Sequence, residues 1–183
     1  MRSRSPLLLT VSLLLGIASL ALGDNYLKNA DFKEGSQMWR GDGKAAFLKP
    51  DGTEGSEGDP GVIPVLRISL SKGQPHSVFQ EIHPHDAPGQ LQIKVEVYAS
   101  IDFKRSTHSS DYQTDDLWPM PNRDFAIRLL PDYFQYSADL KPGQWATVQT
   151  TWTDPTSAED RGVYFLLPPG EGIVYIKNAS VTP

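Results

Sequence analysis

The chain has 183 residues, with 22 acidic against 17 basic side chains, a net charge of −5 and no cysteine. That acidity argues against nucleic acid or anionic membrane as partners recognised through bulk charge. The missing cysteines exclude disulfides, thiolate catalysis and cysteine-ligated zinc, so stability must come from a packed core, which a chain of this length can form.

At the N-terminus, Arg2 and Arg4 precede an apolar run from Leu7 to Leu22 that is interrupted only by Thr10, Ser12, Gly16 and Ser19. The run is shorter than the ~20 residues a spanning helix needs. It ends in Ala21-Leu22-Gly23, with small residues three and one positions before a cut. This pattern predicts a signal peptide over residues 1–23, with Asp24 as the mature N-terminus. The protein is then exported, periplasmic or extracellular, and keeps no membrane anchor after cleavage. With no cysteine after the run, anchoring through a lipidated Cys is excluded.

Residues 24–183 read as a single domain built from strands. The Gly-rich acidic stretch Asp51 to Gly61 predicts a mobile loop. Leu66, Ile68 and Leu70 then alternate with polar positions. The clearest alternation runs from Gln90 to Ile101: Leu91, Ile93, Val95, Val97, Ala99 and Ile101 share one parity, against Gln92, Lys94, Glu96, Tyr98 and Ser100. One apolar and one polar face mark a half-buried antiparallel strand. A long interruption, Asp102 to Asp124, separates it from the next strand, Phe125-Ile127-Leu129. Loops of that length in compact domains are often functional. Val148, Thr150 and Trp152 follow, then two more continuous apolar runs, Val163 to Leu167 and Ile173 to Val181. Turn signals separate them: Pro88-Gly89, Pro142-Gly143 and Pro168-Pro169-Gly170. No stretch carries a 3.6-residue stripe with caps, so the pattern predicts an all-β sandwich. Phe32, Trp39 and Trp152 read as core aromatics.

Few side chains promise chemistry. His83-Pro84-His85-Asp86 offers nitrogen and oxygen donors, but its prolines read as a turn and no third ligand has suitable spacing. Asp111, Asp115 and Asp116 fall in the long interruption, whereas glycoside hydrolysis needs two carboxylates held at fixed separation on rigid elements. No G-x-S-x-G or HExxH is present. The sequence therefore predicts a non-enzyme with no cofactor. Sugar recognition needs aromatic faces together with hydrogen-bonding side chains. The residues suited to it are Glu96 and Tyr98 on the polar parity of the long strand, Arg128 on that of a later strand, and Tyr112 and Trp118 in the long interruption. For Trp118, between Leu117 and Pro119, the competing role is to pin that segment onto the sandwich. Tyr133, Phe134 and Tyr136 form a further aromatic stretch.

Several segments resemble secreted carbohydrate-binding modules with the galactose-binding-like jelly roll. Asn25-Tyr26-Leu27-Lys28-Asn29-Ala30-Asp31-Phe32, followed by Gly35 and Trp39, is similar to their opening segment. Ser77 to Ile82, with its central Gln80, resembles an internal strand; Pro88-Gly89, a turn before the next; Lys141 to Val148, a "G-x-W-x-x-v" segment; and Val174 to Val181, the closing strand. The resemblance implies a two-sheet antiparallel jelly-roll β-sandwich and a non-catalytic, lectin-like function. The implied partner is a glycan or polysaccharide, or another envelope or secreted protein. The alternative is a structural or protein-interaction sandwich of the cell envelope with no sugar site. The resemblance also implies a structural calcium between the first and last strands. At the matching positions this chain has Lys33 and Lys177, which would repel the cation, so no metal is expected. Asn178-Ala179-Ser180 spells a glycosylation sequon inside the closing strand and is read as chance.

Overall fold

The computed structural model of the chain describes residues 25–82, 90–106, 123–130, 134–153 and 161–183. Among these residues all regular structure is β. The first strands are β1 (Arg40–Gly41), β2 (Lys44–Leu48), β3 (Glu54–Gly55), β4 (Ile63–Ser69) and β5 (His76–Ile82). Then come β6 (Gln90–Ala99), β7 (Lys104–Arg105), β8 (Phe125–Leu130) and β9 (Phe134–Ala138). The last are β10 (Trp145–Thr153), β11 (Arg161–Leu167), β12 (Gly170–Glu171) and β13 (Ile173–Thr182). They form a five-stranded sheet in the order β1-β5-β11-β8-β9 and a six-stranded sheet in the order β10-β6-β13-β4-β2-β3, with a β12-β7 ribbon at one end. Every pairing is antiparallel.

The inner faces of the two sheets meet in one core. On β6, Leu91, Ile93, Val95 and Val97 are buried and the residues between Gln90 and Glu96 alternate outward, as a period of two requires. From the other sheet come Val78, Ile82, Phe125, Ile127, Leu129, Val163 and Phe165. Phe32, Trp39 and Trp152 are all buried in this core. Trp39 lies between Phe32 and Phe165, with ring centroids 5.3 and 5.5 Å away. Its indole N–H is satisfied by the carbonyl of Asn29 at 3.2 Å, as a buried tryptophan requires.

Two expectations need correction. The alternation does not carry Ile101 inward: β6 ends at Ala99, and Ile101 is 83% exposed. A turn from Ser100 to Phe103, closed by a 3.0 Å backbone bond, reverses the chain and buries Phe103 instead. Nor is Asp51 to Gly61 all loop. Glu54 and Gly55 pair with Leu48 and Phe47, and the Glu54 carboxylate is held by Arg67 and by the Tyr175 hydroxyl.

The two ends of the sandwich are tied together. β13 has an irregularity between Lys177 and Ser180, with Asn178 at φ 49. A bulge unpairs a backbone group from the ladder. Here it frees Ala179, whose N–H donates to Ala30 O and whose carbonyl accepts from the Asn25 side chain. Asn25 Oδ1 in turn accepts from Val181 N. The opening segment is thereby fastened along the closing strand.

Candidate functional site

The residues expected to bind ligand do not share one surface. Glu96 and Tyr98 are on the outer face of the six-stranded sheet, and Arg128 is on the outer face of the five-stranded sheet, across the sandwich. Tyr112 and Trp118 lie outside the described residues, as do His83, His85, Asp86, Asp111, Asp115, Asp116 and Tyr133.

The face that carries Glu96 and Tyr98 is occupied by its own side chains. Tyr98 is 8% exposed and packs with Leu48, Val65 and Tyr175 in a second apolar cluster, tilted against Trp145. The turn between β2 and β3 roofs it so closely that a Cβ on Gly52 would stand 2.4 Å from the tyrosine oxygen. Polar parity therefore does not make Tyr98 an open platform. Glu96 accepts from Asn178 Nδ2 at 3.0 Å and pairs with Lys177 Nζ at 3.2 Å. The Asn178 hydrogen bond, working against partial burial and helped by the Lys177 charge, holds its carboxyl below the usual range. The Lys177 ammonium also sits 4.0 Å from the Trp145 ring centroid.

The opposite face is built differently. Register places Arg40, Phe79, Tyr164 and Arg128 in one row across β1, β5, β11 and β8, all pointing away from the core. Phe79 and Tyr164 are both half-buried, and their rings lie 4.8 Å apart at 13°, an offset stack. Arg40 reaches over the far side of Phe79, 5.9 Å from its centroid, and pairs with Glu81 at 3.1 Å. Tyr164 lies low across its own strand: a Cβ on Gly162 would be 2.4 Å from its Cε2. Beyond the aromatic pair the face closes, because Ala126, Leu166 and Arg128 are buried.

On the β1 side the same surface runs into an open depression of about 730 Å³, lined by Lys28, Met38, Trp39, Arg40, Gln80 and Glu81. Met38 is 63% exposed and gives the depression an apolar lip. Gln80 explains its own place in the sequence. β1 is only two residues long, so on that edge β5 lacks a strand partner beyond Phe79, whereas β11 pairs with its other edge as far as Ile82. The buried Gln80 amide supplies one instead, donating to Lys28 O at 2.9 Å and accepting from Lys28 N at 2.5 Å. Phe79, Tyr164, Arg40 and Glu81 were not singled out from sequence. The available signal was an aromatic on the polar parity of β5, between Ser77 and Glu81. Tyr164 had no such signal, being hidden in the apolar run of β11.

The calcium implied by the opening and closing motifs does not fit these residues. Around the Asn29–Glu34 turn the inward position is taken by the Asn29 side-chain amide, which donates to Gly35 O at 2.9 Å and Gln37 O at 3.1 Å. Its Oδ1 accepts from Glu34 N at 3.0 Å. Lys33 pairs with Asp31 at 2.7 Å, and its hydrogen bond draws the Asp31 carboxyl below its usual range. Calcium needs six to eight oxygens, and here an N–H donor already occupies two carbonyls. Among the described residues no group of three or more His, Asp or Glu could hold a metal.

No protein family and no curated protein sequence matches the chain. Solved structures resemble it in fold. A family 61 carbohydrate-binding module in complex with β-1,4-galactotriose aligns with TM-score 0.53 at 13% identity, over 86% of this chain and 97% of that one. A family 16 carbohydrate-binding module aligns at 0.56 and 12%, over 87% and 100%. The enzymatically active domain of tailspike protein 4 from bacteriophage CBA120 aligns at 0.55 and 11%, over 86% of this chain but 21% of its own. The chain thus has the jelly-roll β-sandwich of carbohydrate-binding modules.

Proposed function

We propose that the chain is an exported, non-catalytic glycan-binding protein whose ligand lies on the outer face of the five-stranded sheet, against Phe79 and Tyr164. The observation that carries this reading is the half-exposed stacked pair beside an open depression with a charged pair on its rim. An apolar ring surface flanked by hydrogen-bonding groups matches the two sides of a pyranose, whose C–H face is apolar and whose hydroxyls need donors and acceptors. Arg40 supplies donors and Glu81 acceptors, while the buried Arg128 closes the far end of the row. The outer face of the six-stranded sheet suits a ligand less well, because Tyr98 is roofed and Glu96 is already satisfied by Asn178 and Lys177. The sandwich of this chain extends over nearly the whole of two carbohydrate-binding modules, which supports the ligand class without naming the sugar.

The first test is a glycan array that spans β-linked galactans, xylans and glucans. Binding to at least one polysaccharide, with no loss of glycan mass on prolonged incubation, is the expected outcome. Release of shortened products would show an enzyme instead. Export is tested separately by mass spectrometry of protein recovered from its native source. A mature N-terminus at Asp24 is expected, and an intact Met1 would contradict it.

A further inference from the structure

We infer that β10 is a self-association edge, through which two copies of this chain join their six-stranded sheets into one. The two sheets have four edge strands: β1, β3, β9 and β10. Three are short, at two, two and five residues. β10 has nine, and its sequence Trp-Ala-Thr-Val-Gln-Thr-Thr-Trp-Thr contains no charge, proline or glycine. It pairs with β6 in unbroken register from Trp145↔Tyr98 to Thr153↔Gln90, with no bulge to twist it away. Shortness, charge, proline and bulges are the devices that a strand itself carries to keep its edge from joining other chains. β10 uses none of them. Among the described residues, no backbone hydrogen bond links Trp145 to Thr151 to an element other than β6.

The occupant we assign is a second copy, because the strand is complementary to itself. An antiparallel twofold through Gln149 sets Gln149 opposite Gln149 and Thr147 opposite Thr151, all on the outer face. Threonine pairs and amide pairs are favourable cross-strand neighbours, and no like charges are brought together. A twofold of this kind is isologous and closes at two copies. A single added strand pair is small beside the ~1,200–2,000 Å² that stable complexes bury, so the dimer is weak and concentration-dependent. Its axis stands perpendicular to the sheet, so the outer faces of both five-stranded sheets point the same way. This geometry does not depend on the glycan reading, although a ligand with repeated units would bind the pair more tightly than a single copy.

The test is sedimentation of the purified protein from micromolar to millimolar concentration, alongside Gln149→Lys and Gln149→Glu. Gln149 is exposed, so both variants should keep the circular dichroism of the wild type. The expected result is a reversible wild-type dimer whose dissociation constant rises at least tenfold in each variant alone, through like charges set opposite one another. An equimolar mixture of the two variants should restore it, because the charges then attract. A wild type that stays monomeric throughout overturns the inference and leaves the edge to a strand from a different protein. A dimer that both variants form as readily as the wild type overturns it as well, by placing the contact elsewhere.

Discussion

Tyr175 brings three strands together on the outer face of the six-stranded sheet. Its ring packs 6.0 Å from that of Tyr98, and its hydroxyl donates to Glu54 at 2.9 Å, a carboxylate also held by Arg67. Burial, and then the hydrogen bond and negative charge of Glu54, push the phenol up to about 12 from 10.0. Burial also acts on Glu54, but Arg67 and Tyr175 outweigh it and keep that carboxyl low. The sign follows from which state gives up its proton first. Above pH 10 an unfolded tyrosine ionises while the folded one does not, so the stability this group contributes is complete below pH 10 and is lost between 10 and 12. Tyr175→Phe cannot ionise. It should cost about 1 kcal/mol at neutral pH through the lost hydrogen bond, yet its thermal midpoint should fall less steeply than that of the wild type between pH 10 and 12. Equal slopes would mean that Tyr175 titrates alike in both states.

At the scale of elements, the long stretch from Asp102 to Asp124 is anchored where it leaves and rejoins the sandwich. Its first part is β7, paired with β12, and Arg105 bonds to Asp124 at 2.8 Å. The second Asp124 oxygen accepts from Leu140 N at 2.9 Å. Asp124→Ala removes both bonds and leaves a half-buried arginine and a backbone N–H without their acceptor, so it should cost about 2–3 kcal/mol in denaturant unfolding. Asp124→Asn, which keeps an acceptor, should lose less. A neutral Asp124→Ala would mean that the anchor has no energetic role.

The elements also show what a linear reading can recover. β6 and β10 were legible because one of their faces is apolar and the other mostly polar, so parity alone assigns the core; in β8 only Arg128, between Ala126 and Leu130 on the same parity, marks the outward face. The binding face was not. Phe79 stands outward in a strand whose buried members are His76, Val78, Gln80 and Ile82, and the framework motif drew the reading to Gln80. In β11 both parities are apolar, and only the pairing Tyr164↔Phe79 and Tyr164↔Arg128 tells which residues face out. Parity also misled at Tyr98, since a sheet's outer face can be roofed by a neighbouring hairpin. Arg128 has the outward parity of β8 but is buried there, on the sheet opposite Glu96 and Tyr98.

For the whole molecule, two asparagines support the opening segment, beside its backbone bonds to β13. Asn25 joins the opening segment to β13, and Asn29 draws the 29–37 turn around its amide where the sequence resemblance implied a cation. Thermal unfolding of the wild type should then be indifferent to millimolar calcium and to chelator. A ligand that binds only the native state would raise the midpoint with the logarithm of its concentration. Asn29→Ala, which loses three hydrogen bonds at once, should be destabilised by about 1–3 kcal/mol. A calcium-dependent rise in the wild type would show that Asp31 and Glu34 recruit the ion despite Lys33.

The central claim is that ligand binds the five-stranded face, and calorimetric titration tests it most directly. A glycan selected on the array would be titrated into wild type, Tyr164→Ala and Thr147→Ala, with unfolding curves recorded for all three. Tyr164 offers its ring to the proposed ligand, whereas Thr147 is exposed on the far face next to Glu96. Tyr164→Ala should weaken binding by about 1–3 kcal/mol, the range of a contact that dominates an interface, while its fold remains intact. Thr147→Ala should bind like the wild type. Unchanged affinity in Tyr164→Ala, with a loss in Thr147→Ala, would move the site to the six-stranded face and contradict the account.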